Sequence, residues 1–214
     1  KPCAPEDIKA AIRDGVEQYR LLRAERELLE KTLSGSIQLL TETLALAQPL
    51  AFSSSQRIAE IVKHVAEALG LQEIWEFRIA GLLSQIGCVA VPRAVLKEVY
   101  VGRKLEPEDE GVYCSHPETA QKLLEHIPRL TRVAEMIALQ LEPPSGSFFG
   151  KSRIRQGGQM LYVARLYDLY TMQGMSYVEA IARLRRELDV CNALILDAMT
   201  TMPNVLMDHT VRTI

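Results

Sequence analysis

The sequence predicts an all-α protein: a helical bundle preceded by a long helical arm. Three observations predict it. Apolar residues recur at three- and four-residue spacing along most of the chain, and no apolar–polar alternation is long enough for a sheet strand. In the first segment apolar residues also return every seven positions. Clusters of Gly, Pro and Ser cut the remainder into lengths suited to bundle helices.

The first helix is expected over about residues 6–47. Leu22 and Leu29, Leu33 and Leu40, and Ile37 and Leu44 stand seven residues apart, beside a charged block from Arg20 to Lys31. On a charged helix that spacing favours a coiled coil, and with it a homodimer through this arm. The other reading is one long solvated helix, and Ser34-Gly35-Ser36 interrupts the strong helix formers. Pro49 and Ser53-Ser54-Ser55 mark a break, with serine capping a helix over about 56–69 that Gly70 stops. A helix over about 73–85 ends at Ile86-Gly87, and Pro92 suits the first position of a further turn. Ser115-His116-Pro117-Glu118 has the spacing of a capping box and opens a helix to about His126. Pro128 starts the next, to about Leu141, and the stretch from Pro143 to Ser147 is a loop. Helices over about 158–172, 177–188 and 191–202 complete the bundle.

Composition narrows the function classes. A net charge of -2 gives no general attraction to nucleic acid or anionic lipid, so nucleic acid is disfavoured as a partner. No apolar run approaches the roughly 18–20 residues that span a bilayer, so no membrane insertion is expected. Nothing at Lys1-Pro2-Cys3 reads as a signal peptide, and Cys3, Cys88, Cys114 and Cys191 form no C-x-x-C pair. Reduced thiols in a cytoplasmic protein are the expectation.

Residues 80–92, AGLLSQIGCVAVP, resemble the core motif of the HD-GYP family, A-x-L-L-H-D-I-G-K-I-x-I-P, with Ser84-Gln85 in place of His-Asp. Ser115-His116-Pro117-Glu118-Thr119-Ala120 is similar to the family's T-H-P-E-I-G. The stretch from Glu142 to Gly150 resembles the loop that ends in Gly-Tyr-Pro, with Phe148-Phe149-Gly150 in place of that signature, and Tyr162 to Asp168 resembles V-A-D-x-x-D. The likeness covers most of residues 50–200, and it implies an HD-domain-like bundle over 49–214 behind an arm over 1–48.

The resemblance also implies a site. Family members are phosphodiesterases that open cyclic di-GMP at a bi- or trinuclear metal centre, usually iron or manganese. Such a centre clamps phosphate and acidifies a bound water, and it needs imidazoles and carboxylates. On this chain the first ligand position is Ser54, the His-Asp pair is Ser84-Gln85, and the next histidine is His116. The adjacent histidine pair falls on Gln140-Leu141 and the late aspartate on Arg165. Of those seven positions one keeps a ligand type, whereas even a mononuclear site normally needs three. Cys88 replaces the motif's lysine. No metal, no cofactor and no catalytic residue are therefore expected.

His116, beside Ser115 and Pro117, reads as a structural histidine before a residual ligand. Arg165 either holds an acidic partner or a nucleotide phosphate, or closes the pocket by pairing with a carboxylate. Lys151, Arg153 and Arg155 are candidate anion or partner contacts on a loop, or simply solvated charges. Lys1-Pro2 and the helix from Ala10 to Leu22 resemble the end of a receiver domain. That likeness implies a two-component response regulator, phosphorylated by a cognate histidine kinase on a domain preceding this chain.

The expected function is a non-enzymatic output module that contacts an unidentified downstream protein and dimerises. The alternatives are a sensor that binds cyclic di-GMP or another phosphate ligand without cleaving it, and a residual phosphohydrolase.

Overall fold

The computed structural model describes residues 5–143, 148, 150, 152–188 and 193–203, and leaves aside the side chains of 5–12, 22 and 24–30. The chain divides into two compact units, residues 1–39 and 40–214. Helix α1 (Pro5–Ala47) supplies the whole described part of the first. Ser34-Gly35-Ser36 does not break it, and the Ser36 hydroxyl donates to the Thr32 carbonyl one turn back, at 2.9 Å. Leu33 and Ile37 are half-buried, while the side chains of Leu22 and Leu29 lie outside the described residues. So do Lys1 and Pro2 of the receiver-like stretch.

The second unit begins within α1, where Leu40 is half-buried and Leu44 wholly buried. Helix α2 (Pro49–Ala68) follows after the single non-helical residue Gln48. It starts seven residues earlier than the serines suggest, because Pro49 fills a first-turn position where no N–H is needed. The serines therefore lie inside the helix, where Ser55 donates to the Phe52 carbonyl. Ile58, Ile61, Val62 and Val65 make the stripe that α2 buries.

Helix α3 (Ile74–Leu83) packs along α2 closely enough that a Cβ on Gly81 would stand 2.5 Å from the Ala59 Cα. A 3-10 turn (Ile86–Ala90) replaces the end expected for α3 and leads into α4 (Arg93–Val101). Pro92 is the residue before that helix, and not its first member. Gly102, at φ 78°, closes α4 in the left-handed conformation that glycine adopts without strain.

Helix α5 (Pro107–Cys114) is absent from the sequence reading. It buries no residue completely, so it has no apolar stripe to read, yet Glu108, Asp109 and Glu110 suit its N-terminus. Its presence overturns the capping box at Ser115. A cap needs extended backbone, but Ser115 is helical at φ -80° and ψ -10°, and its hydroxyl donates back to Val112.

Helix α6 (His116–Leu124) and α7 (Thr131–Ala138) are shorter than expected, the latter entered through Arg129 at φ 69°. Helix α8 (Arg153–Met172) starts earlier than expected, because Ser152 caps it by accepting from the Arg155 N–H. Arg153 and Arg155 thus sit on a helix and not a loop; Lys151, Phe149 and residues 144–147 lie outside the described residues. Helix α9 (Tyr177–Glu187) opens with a complete Ser176–Glu179 capping box, and α10 (Ala193–Met199) packs on α2 and α9.

The unit is all-α, with no strand among the described residues. Its core lies where α2, α3, α7 and α8 meet, around Phe77, Leu83, Met136, Ile137 and Tyr167. No helix among the described residues is long and apolar enough to cross a membrane.

Candidate functional site

The ends of three elements converge on one polar interior. Ser84 and Gln85 follow α3, Gln140 follows α7, and His116 opens α6. All four are buried, with at most 1% of their surface exposed. A polar group removed from water must find a partner, and here the amides find each other. Gln85 donates to the Ser84 hydroxyl and to the Gln140 side-chain oxygen, both at 3.3 Å. Gln140 in turn donates to the Ser84 carbonyl at 2.8 Å. The Cys88 thiol donates to Gln85 at 3.5 Å, and burial pushes its pKa up to about 12, so it stays neutral.

A second cluster joins α2 to α8. The Arg57 guanidinium grips Asp168 through both carboxylate oxygens, one contact being Nη2 at 3.1 Å. Ser54 donates to the same carboxylate at 2.5 Å. Asp168 is buried and Arg57 largely so, so the pair links the two helices where solvent screens it little. Tyr100 lies beside Ser54, and burial first, then the Cys88 sulfur, raises its hydroxyl well above the ordinary range.

His116 lies beside the first cluster, next to Gln140. Its Nδ1 faces the Tyr113 carbonyl at 2.6 Å. A carbonyl only accepts, so the proton is on Nδ1 and Nε2 carries a bare lone pair. That Nε2 has no hydrogen-bond partner; Gln140 lies beside it without closing a bond. Burial above all, with the Arg165 cation adding to it, lowers the pKa to about 4 against the opposing Tyr113 carbonyl. The imidazole is neutral, in the tautomer a metal-ligating histidine uses.

Arg165 is half-buried. Its Nε lacks a partner, its guanidinium meets the Tyr113 hydroxyl, and it lies 5.7 Å over the Tyr162 ring. Among the described residues it forms no ion pair, so the carboxylate expected to close the pocket is not seen. Leu141 is half-buried in the turn after α7. Arg153 spends its charge elsewhere, on Glu76 at 3.2 Å, and Arg155 is exposed.

Two residues that act here, and one at the other end of α3, were not legible. Arg57 is one helical turn beyond Ser54, and Tyr113 one turn before His116. Either spacing marks a shared face, but neither names a partner. Glu76, buried between Arg132 and Arg153, carries no motif signal at all.

The metal centre implied by the resemblance does not fit these residues. One imidazole lone pair points inward, but its neighbours are an amide, hydroxyls and a guanidinium whose charge repels a dication. The Asp168 carboxylate is held by Arg57 and Ser54. Among the described residues no group of three or more His, Cys, Asp or Glu is placed to hold an ion.

Comparison with known proteins places this architecture. The family described as the HD domain matches residues 38–194. Among solved structures, the HD domain of the PgpH phosphodiesterase of L. monocytogenes superposes with a TM-score of 0.53 at 13% identity. The match covers 75% of this chain and 94% of that one, and at such identity it speaks for the fold alone. No curated protein matches the sequence.

Proposed function

The chain belongs to the HD domain family, and from that premise we propose that it is a member without catalysis, a signalling output domain that works by contacting another protein. One observation carries the reading. At the seven positions where the HD-GYP resemblance puts metal ligands, the chain offers one imidazole and no carboxylate, and Ser84, Gln85 and Gln140 spend their polar groups on one another. In this reading the domain is the cytoplasmic output of a two-component response regulator. A cognate histidine kinase phosphorylates the receiver, and the signal passes through α1 to dimer geometry or partner access. The exposed Val16, Tyr19 and Leu21 of the arm are consistent with pairing of two copies.

The test is metal content and turnover. Purified domain reconstituted with Fe(II) or Mn(II) is expected to retain well under one ion per chain and to leave cyclic di-GMP intact. A stoichiometric ion with turnover overturns the proposal. Sedimentation analysis of the full chain against a chain lacking the arm tests dimerisation.

A second reading has its own support. Arg165 is a guanidinium with no ion pair among the described residues and with its Nε unpartnered, a group that suits an oxyanion. A sensor that binds cyclic di-GMP without cleaving it would use that cation. Calorimetric titration separates the readings: heat of binding that disappears in Arg165→Ala favours the sensor.

A further inference from the structure

Helices α3 and α7 end at the polar interior and begin together at the opposite surface. There Glu73, Trp75, Glu76, Arg129, Thr131 and Arg132 line a cleft of about 480 Å³. Its volume lies within the range of ordinary ligand sites, and no residue of the emptied metal set belongs to it.

The charges in the cleft are unevenly committed. Glu76, 1% exposed, accepts from Arg132 at 2.7 Å and from Arg153 at 3.2 Å, so one carboxylate faces two guanidiniums. Glu73 accepts the Trp75 indole N–H at 2.6 Å. Arg129 is exposed and forms no ion pair among the described residues. Glu73 keeps its charge on the neutral Trp75 N–H, so with Arg153 three guanidiniums face two carboxylates, and one positive charge is left uncompensated. Helix α7 adds to it, because Leu130 gives no side-chain cap and the first turn has no acidic residue. Trp75 is 39% exposed, and its fixed N–H leaves a ring face for an apolar group. The carboxylates of Glu73 and Glu76 repel a dense polyanion such as a nucleotide polyphosphate, but a single carboxylate next to an apolar side chain avoids them.

We propose that this cleft is a docking site for an acidic, leucine-bearing peptide segment of a partner protein, with a carboxylate on Arg129 and an apolar side chain on Trp75. The proposal rests on the reading of the domain as a protein-contact module, and supplies the surface and the partner chemistry.

The test uses the chain's single tryptophan, which lines the cleft. The full chain is titrated with acetyl-Leu-Glu-Leu-amide, which carries one carboxylate between apolar side chains, while Trp75 emission is followed. Controls are the same peptide with lysine for the acid, free glutamate, and inorganic phosphate. A saturable change with the acidic peptide alone is expected, at least about tenfold weaker in Arg129→Glu and unchanged in Arg186→Glu on α9.

Arg129→Gly keeps the test independent of folding. Arg129 has φ 69°, a conformation glycine adopts freely, so this variant is expected to melt higher yet bind more weakly. Four results overturn the proposal: no saturable change up to about 1 mM peptide, an equal response to the lysine peptide, saturation by glutamate or phosphate at the same affinity, or binding indifferent to both Arg129 variants. Metal content measured on the same sample reports separately on the non-catalytic reading.

Discussion

Acid should unfold this domain through His116. The imidazole is buried and neutral with a pKa of about 4, while an unfolded chain holds histidine near 6.5. As pH falls below 6.5 the unfolded state takes up a proton that the native state refuses, so stability falls with pH. The contribution is intact above about pH 6.5 and fully lost below about pH 4. Each pH unit of pKa difference is worth about 1.4 kcal/mol, so the whole loss is about 3 kcal/mol, with about 2 kcal/mol of it gone between pH 7.5 and 5. Urea unfolding followed by circular dichroism at those two pH values measures it. His116→Leu removes the titration and leaves every carboxylate to titrate as before. The native protein should therefore lose about 2 kcal/mol more than the variant between pH 7.5 and 5. Equal losses in both proteins would refute the reasoning, as would an His116 ring that titrates near pH 6.5 by NMR.

Two further outcomes follow from packing. Glu76→Ala leaves the guanidiniums of Arg132 and Arg153 without their shared carboxylate; with Arg132 mostly solvated, the cost should be about 2–3 kcal/mol in chemical denaturation, below that of a fully buried pair. Gly81→Ala forces a methyl to 2.5 Å from the Ala59 backbone and should lower stability by about 2 kcal/mol, whereas Gly111→Ala, with nothing within 4 Å, should be neutral or slightly stabilising in the same thermal melt.

Helices with a one-sided apolar stripe were legible in the sequence, and α2, with Ile58, Ile61, Val62 and Val65, is the plainest. Helix α5 was not, because a helix that buries no residue leaves no periodic trace. The start of α8 was misread for a different reason. Gly157 and Gly158 look like a boundary, but they sit inside the helix where Met136 and Leu139 approach too closely for any side chain. The site divides in the same way. Motif register led to Ser84, Gln85, His116 and Gln140, which the fold gathers in one interior. The grip of Arg57 on Asp168 joins residues 111 positions apart, and no local pattern encodes it.

The ring of His116 is aimed by the Tyr113 carbonyl, and so it needs no ion to hold its direction. A binding or catalytic site depends on side chains held in place by their surroundings, and here the Tyr113 carbonyl holds the ring. Replacing Ser84 and Gln85 by the motif's His and Asp, and Gln140 by His, would add nitrogen and oxygen donors around a lone pair already in place. In such a variant Arg165 would oppose a dication, because its positive charge acts on the His116 ring.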